Sequence, residues 1–247
     1  MNPIKGLWIL FGALVLAEIG YPLAGGRTRA ALVVATVVAG YLLSVTHAWT
    51  TRGPRTAAAL IAVTTGGGLL VEAVGRATGV PFGDYDYTGA LGPRLLGVPL
   101  VVPLAWTWMA WPAWLAAGRL TGRAWTRVGL AGLGLASWDL FLDPQMVSEG
   151  YWQWSSAAAA LPGVPGIPVT NYLGWLVVAT AMTALLRLGA GPDRPGADAP
   201  MHALYLWTYT SSILAHAVFL GLPASAAWGA VGMGLVAVPL AVRLWRS

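Results

Sequence analysis

The chain has 247 residues, 57% of them apolar and only 9% charged, with a mean hydropathy of +0.67. A water-soluble surface needs roughly a quarter of its residues charged, so a soluble globular domain is excluded. The net charge of +5 comes from basic residues scattered between apolar runs, which is no nucleic-acid surface, and the lack of any cysteine excludes disulfides, thiolate metal sites and cysteine nucleophiles.

The apolar residues come in long unbroken runs rather than with period two, so the spans are helical and not those of an outer-membrane barrel. A bilayer core about 30 Å thick takes about 20 helical residues. Eight stretches approach that length: 7–23, 30–48, 56–74, 95–117, 128–147, 169–186, 201–222 and 224–242. The expected fold is an all-α integral membrane protein of about eight transmembrane helices. It forms one polytopic domain over 1–247, with outer connections near 76–94 and 144–170.

The first stretch follows Lys5, is longer than a usual signal-peptide core and lacks an Ala-x-Ala site, so it reads as a span. It carries Glu18, four residues before Pro22, where the carboxylate either serves function or bonds a neighbouring helix. The third carries Glu72, four residues before Arg76, in the order that favours a helical ion pair. Between Arg127 and Asp143 the fifth stretch is short unless Asp143 sits at membrane depth. It contains Asp139 and Asp143, one helical turn apart on one face, and two carboxylates so close in an apolar setting tend to keep one proton between them. Pro144 disfavours helix at Asp143, which leaves capping of loop amides as the plain alternative for that residue. Asn171 opens the sixth stretch and His216 lies late in the seventh. His47 and His202, near the opposite ends of their spans, read as structural. The Gly-, Pro- and Asp-rich segment 189–200 reads as a polar linker in which solvation explains Asp193 and Asp198.

Alternation of sides in an eight-span chain puts ten basic residues on one side and four on the other, so both termini are expected in the cytoplasm. That orientation gathers Glu18, Glu72, Asp139, Asp143, Asn171 and His216 toward the outer face of the membrane. Charged groups in hydrocarbon cost about 2.5–3.5 kcal/mol on insertion scales, so the intramembrane carboxylates are functional candidates. The two outer connections beside them are aromatic, with Tyr85 and Tyr87 in one and Tyr151, Trp152 and Trp154 in the other. Trp and Tyr collect at any bilayer interface. Their clustering beside buried acids also describes a pocket for a lipophilic substrate.

The motifs are Glu72-x-x-Gly75-x-x-Thr78-Gly79-x-Pro81-Phe82-Gly83-x-Tyr85-x-Tyr87, Leu91-Gly92-Pro93, Gly97-Val98-Pro99 and Pro103-x-Ala105-Trp106. Asp139-x-x-x-Asp143-Pro144-x-Met146-Val147, Gly150-Tyr151-Trp152-x-Trp154 and Asn171-x-x-Gly174-Trp175 follow. In these stretches, over residues 70–176, the sequence resembles the CruF-type carotenoid biosynthesis proteins, a family of integral-membrane carotenoid 1,2-hydratases that includes the bisanhydrobacterioruberin hydratases. The resemblance implies addition of water across the terminal C=C bond of an acyclic carotenoid end, with no cofactor and no metal.

From the chemistry of that reaction, Asp139 or Asp143 is the expected acid and Glu72 or Glu18 the expected base that orients water. Trp138, Tyr151, Trp152 and Trp154 are candidate walls for a carbocation. Tyr85, Tyr87, Trp106, Asn171, Trp175 and His216 complete the expected substrate contacts. The partners are the carotenoid and the lipid bilayer. A membrane transporter using the carboxylates as a proton relay, or a carotenoid cyclase, is the alternative; inverted repeats, the mark of many transporters, are not visible.

Overall fold

The computed structural model describes residues 3–156, 159–194 and 196–246. Residues 157 and 158 of the second outer connection and residue 195 of the linker therefore lie outside the described part. Helix occupies each of the eight apolar stretches. α1 spans Pro3–Gly20 and α2 Gly26–Arg52. Gly53 alone joins α2 to α3 (Pro54–Thr78), at φ +95°, a conformation open to a residue without Cβ, and Pro54 supplies the preset φ of a first helical turn. Within α3, Ile61–Gly66 forms a π-helical segment. Its wider turn lets the adjacent Thr64 and Thr65 hydroxyls both meet Thr107, at 2.7 and 2.5 Å. α3 ends where Gly79 adopts a left-handed φ of 73° and its N–H caps the Gly75 carbonyl.

The connection that follows contains β1 (Tyr85–Tyr87) and a hairpin of β2 (Arg94–Leu95) with β3 (Val98–Pro99). That hairpin delays the fourth helix. α4 runs over Val101–Leu120, several residues later than its apolar stretch begins, because Leu96 and Gly97 both turn at positive φ. It is the central helix, packed against α2 and α3 and against four of the helices that follow it. Trp106, Met109 and Trp111 on it have no exposed surface.

The fifth stretch is broken into α5 (Ala124–Ala136) and α6 (Asp139–Ser148). Asp143 lies inside α6, so the alternative of an Asp capping loop amides at a helix end does not apply. Pro144 is tolerated because its missing N–H orphans the Leu140 carbonyl, and the Ser225 hydroxyl donates to that oxygen at 2.7 Å. Ser225 in turn meets His216 Nδ1 at 2.9 Å, and His216 Nε2 meets Gln145 Oε1 at 3.1 Å.

The second connection carries β4 (Trp152–Trp154) and the hairpin of β5 (Ala160–Leu161) with β6 (Val164–Pro168). α7 (Val169–Leu186), α8 (Ala199–Leu214, continued by a π turn at Ala215–Phe219) and α9 (Pro223–Trp245) complete the bundle. Among the described residues four helices, α2, α3, α7 and α9, are long and apolar enough to cross a membrane. In lipid, small residues let helices approach. A Cβ added at Gly40 of α2 would lie 2.4 Å from the Trp108 ring, one at Gly132 of α5 2.6 Å from Thr180 of α7, and one at Gly229 of α9 2.3 Å from the Phe141 ring.

At one end of the bundle Arg52 holds Asp198 through both carboxylate oxygens, Arg127 holds Asp193 at 2.9 Å and the Arg187 guanidinium covers the Trp125 ring at 4.7 Å. At the other end Arg29 pairs with Glu149. Solvation explains Asp193, which is exposed, but not Asp198. Asp198 is only 4% exposed, and the linker is pinned to α2 and α5 by ion pairs. The Ala197 carbonyl adds a bond to His47 Nε2 at 2.9 Å, while His47 Nδ1 accepts from Trp111 at 3.0 Å.

Candidate active site

The two outer connections, far apart in sequence, pair as an antiparallel sheet, with Tyr85 opposite Trp154, Asp86 opposite Gln153 and Tyr87 opposite Trp152. Both strands alternate aromatic, polar, aromatic. Period-two geometry thus places Tyr85, Tyr87, Trp152 and Trp154 on one face, turned into the bundle, and leaves Asp86 and Gln153 exposed. The inner face roofs a cavity of about 50 Å³ lined by the four sheet aromatics with Trp106, Trp175, Phe82, Glu72, Asp143 and Asn171, and closed by aliphatic side chains from α2, α4 and α6. Trp106 and Trp175 stack at 3.8 Å and 12°, giving a flat aromatic wall.

Glu72 enters from α3. Its Oε2 accepts from Tyr85 at 2.6 Å and Tyr87 at 2.7 Å, and its Oε1 accepts from Trp106 Nε1 at 3.0 Å. Gly68 and Gly75 lie on the same face of α3 as Glu72, and they make these contacts possible. A Cβ at Gly68 would stand 2.8 Å from Trp106 and one at Gly75 2.9 Å from Phe82. The ion pair with Arg76 does not form. Arg76 turns outward to Asp86 at 3.7 Å, because three uncharged donors already hold the carboxylate.

Opposite Glu72, Asp139 and Asp143 share one partner. The Asn171 amide donates to Asp139 Oδ2 at 2.9 Å and, more closely still, to Asp143 Oδ2, and Trp152 Nε1 donates to Asp143 Oδ1 at 3.0 Å. Asp139 has no exposed surface, and its Oδ1 makes no hydrogen bond among the described residues. Asp143 faces the cavity and Asp139 lies behind it.

Of the other expected site residues, Glu18 and Trp138 line a second, larger cavity, where Trp207 Nε1 donates to Glu18. Tyr151 is buried outside both cavities, with its carbonyl accepting from Thr88 N at 2.9 Å. His216 is enclosed between Gln145 and Ser225 with its ring against Phe141 at 5.3 Å. It braces the proline-containing helix and does not line either cavity. Phe82, the middle of three aromatic contacts to Tyr85, Trp106 and Trp175, was not among the expected contacts, although it stands within the first motif. Val33, Val37, Leu142 and Met146 also line the cavity, and nothing in an apolar run distinguishes them. Among the described residues no group of three or more His, Asp or Glu is placed to hold a metal ion.

Bisanhydrobacterioruberin hydratase of Haloarcula japonica is 37% identical to the chain over 132 residues, a match covering 51% of this chain and 42% of that protein. The matched part is thus less than half of the relative. No solved structure matches. A family model described as carotenoid biosynthesis protein matches residues 27–241, a range that takes in the roofed cavity, both sides of its carboxylate array and the helices that frame them. The chain belongs to the carotenoid biosynthesis protein family.

Proposed function

We propose that the protein is a carotenoid hydratase that adds water across the terminal C=C bond of an acyclic carotenoid end and gives a tertiary alcohol. The observation that carries this reading is the pairing of Asp139 and Asp143 through one Asn171 amide at the wall of an aromatic cavity, with Glu72 on the opposite side. The hydratase name of the Haloarcula japonica relative supports it.

Two carboxyl groups so close in an apolar site share a single negative charge and retain one proton. Asp143, facing the cavity, delivers it. The alkene π pair forms the new C–H bond at the less substituted carbon, the positive charge develops on the tertiary carbon, and the dyad is left with both groups ionised. The faces of Trp106 and Trp175 and the sheet aromatics stabilise that cation without offering a nucleophile that would trap it. Water then adds to the tertiary carbon and gives up a proton. A carboxylate has about four lone-pair sites. The three donors on Glu72 leave one of them, on Oε1, to take that proton. Return of the proton from Glu72 to the dyad, directly or through solvent, closes the cycle without an oxidant, reductant or cofactor.

The test is purified protein in lipid nanodiscs, supplied with lycopene in ¹⁸O-labelled water, with products read by mass spectrometry. The expected product has gained one labelled water. Asp143→Asn and Asp139→Asn each reduce turnover of the folded fraction by at least about 100-fold, because the amide delivers no proton; Asp143→Asn also loses about 1–3 kcal/mol of stability, since its NH₂ meets either the Trp152 N–H or the Asn171 amide. A product isomeric with the substrate would make the protein a cyclase. Near-normal turnover in both variants would remove the dyad from the mechanism.

A further inference from the structure

The second cavity, about 380 Å³, is more than seven times the first and is bounded by α1, α2, α6 and α8. Its outer rim is apolar and open: Ile19 is 47% exposed, Leu23 72%, Leu214 57% and Phe219 51%. Its inner wall is buried, and four of its side chains, Val33, Val37, Leu142 and Met146, also line the first cavity. The two spaces therefore lie on either side of one aliphatic partition, and the larger opens sideways between α1 and the π turn of α8, where the apolar rim faces the surface of the bundle.

The size of the first cavity matters here. Pockets of about 300–1,000 Å³ enclose a drug-sized molecule. The second cavity is within that range, whereas the first, at about 50 Å³, has space for no more than an end group, so a linear polyene of many isoprene units needs the two joined as one channel. A substrate dissolved in the bilayer also has no reason to leave it and pass through water to reach the outer sheet, which roofs the first cavity. Resting on the hydratase reading of that cavity, the geometry points to a second subsite: the larger cavity holds the polyene chain, entered sideways from the bilayer between α1 and α8, and the partition of Val33, Val37, Leu142 and Met146 is the passage by which the end group reaches Asp143.

The absence of cysteine from the chain makes this directly testable, since one introduced thiol is the only thiol. Ser211 lines the second cavity and not the first, and Ser211→Cys is a small change. Leu188, 77% exposed and on neither cavity, supplies the control Leu188→Cys. In nanodiscs, lycopene is expected to slow labelling of Ser211→Cys by N-benzylmaleimide about tenfold, the equivalent of about 1.4 kcal/mol of occupancy, and to leave Leu188→Cys unchanged. Once labelled, Ser211→Cys loses lycopene hydration, yet still hydrates 2,6-dimethyloct-2-ene, whose end group needs the first cavity alone. Labelling of Ser211→Cys at one rate with and without lycopene, under conditions where tryptophan quenching shows lycopene bound, overturns the subsite. Absence of any lycopene binding overturns it too. Protection without hydration of either alkene leaves the subsite standing and refutes the hydratase reading instead.

Discussion

At Glu72 three uncharged donors, Tyr85, Tyr87 and Trp106, converge on one side chain and stand where a charged partner would neutralise it. Glu72→Gln replaces one acceptor by a donor. If the amide oxygen stays with Tyr85 and Tyr87, its NH₂ faces the Trp106 N–H, and both donors go unpaired in a buried site. A buried donor left unsatisfied costs about 1–3 kcal/mol. Glu72→Gln is therefore expected to lose stability of that order in a denaturation series in detergent, together with most of its turnover. The double variant with Arg76→Gln should recover neither, because Arg76 lies toward Asp86 and forms no ion pair with Glu72. Recovery of stability in the double variant would restore the helical ion pair that the sequence spacing suggested.

α6 illustrates how a helix with an internal proline is kept usable as a platform for the dyad. Its orphan Leu140 carbonyl is served from α9 by Ser225, and Ser225 is held by His216 of the π turn. Ser225→Ala is expected to cost about 1–3 kcal/mol, since it leaves a buried carbonyl and a ring nitrogen unpaired. The turnover of the folded fraction should hold, because none of these groups faces the first cavity. A large fall in kcat at unchanged stability would mean that the helix bend itself sets the angle of Asp143. The roofing sheet works by a different device. Its register puts all four aromatics on the cavity side, and a slip of one residue in either strand would turn Asp86 or Gln153 into the cavity instead.

On the scale of the whole molecule, the two ends of the bundle are tied differently. Arg52 and Asp198 form a buried bidentate pair between α2 and the linker, with side chains 1% and 6% exposed. Removing one member of a buried pair leaves an uncompensated charge and costs about 3–5 kcal/mol. Arg52→Gln should therefore lower the melting temperature sharply, and Arg52→Gln with Asp198→Asn should recover a large part of the loss. The proposed topology has eight spans and cytoplasmic termini, with the Arg52, Arg127 and Arg187 end inside. Reporter fusions at both termini and within residues 88–93 test it; a cytoplasmic signal from the latter would reverse the topology.

Composition and run length alone determined that the chain is helical, the approximate place of its helices, apart from the late start of α4 and the break between α5 and α6, and which carboxylates stand out, because run length and the cost of burying charge are local properties of a sequence. The motif between residues 72 and 87 marked one wall of the cavity through its resemblance to a known family and not through composition. The partner of each polar group was decided by the tertiary structure. Glu72 is held by Tyr85, Tyr87 and Trp106 and not by Arg76 four residues away, and Asn171 joins two aspartates 28 and 32 residues before it. Alternation in Tyr85-Asp86-Tyr87 and Trp152-Gln153-Trp154 was visible as a strand signal, but their pairing was not, since the register of two short strands depends on the helices that deliver them. Glu18 and His216 stood beside the dyad in the sequence-based ordering by depth, yet depth along a span says nothing of the face a side chain presents. Packing of α1 and α8 turned Glu18 into the second cavity and His216 onto the proline-containing helix.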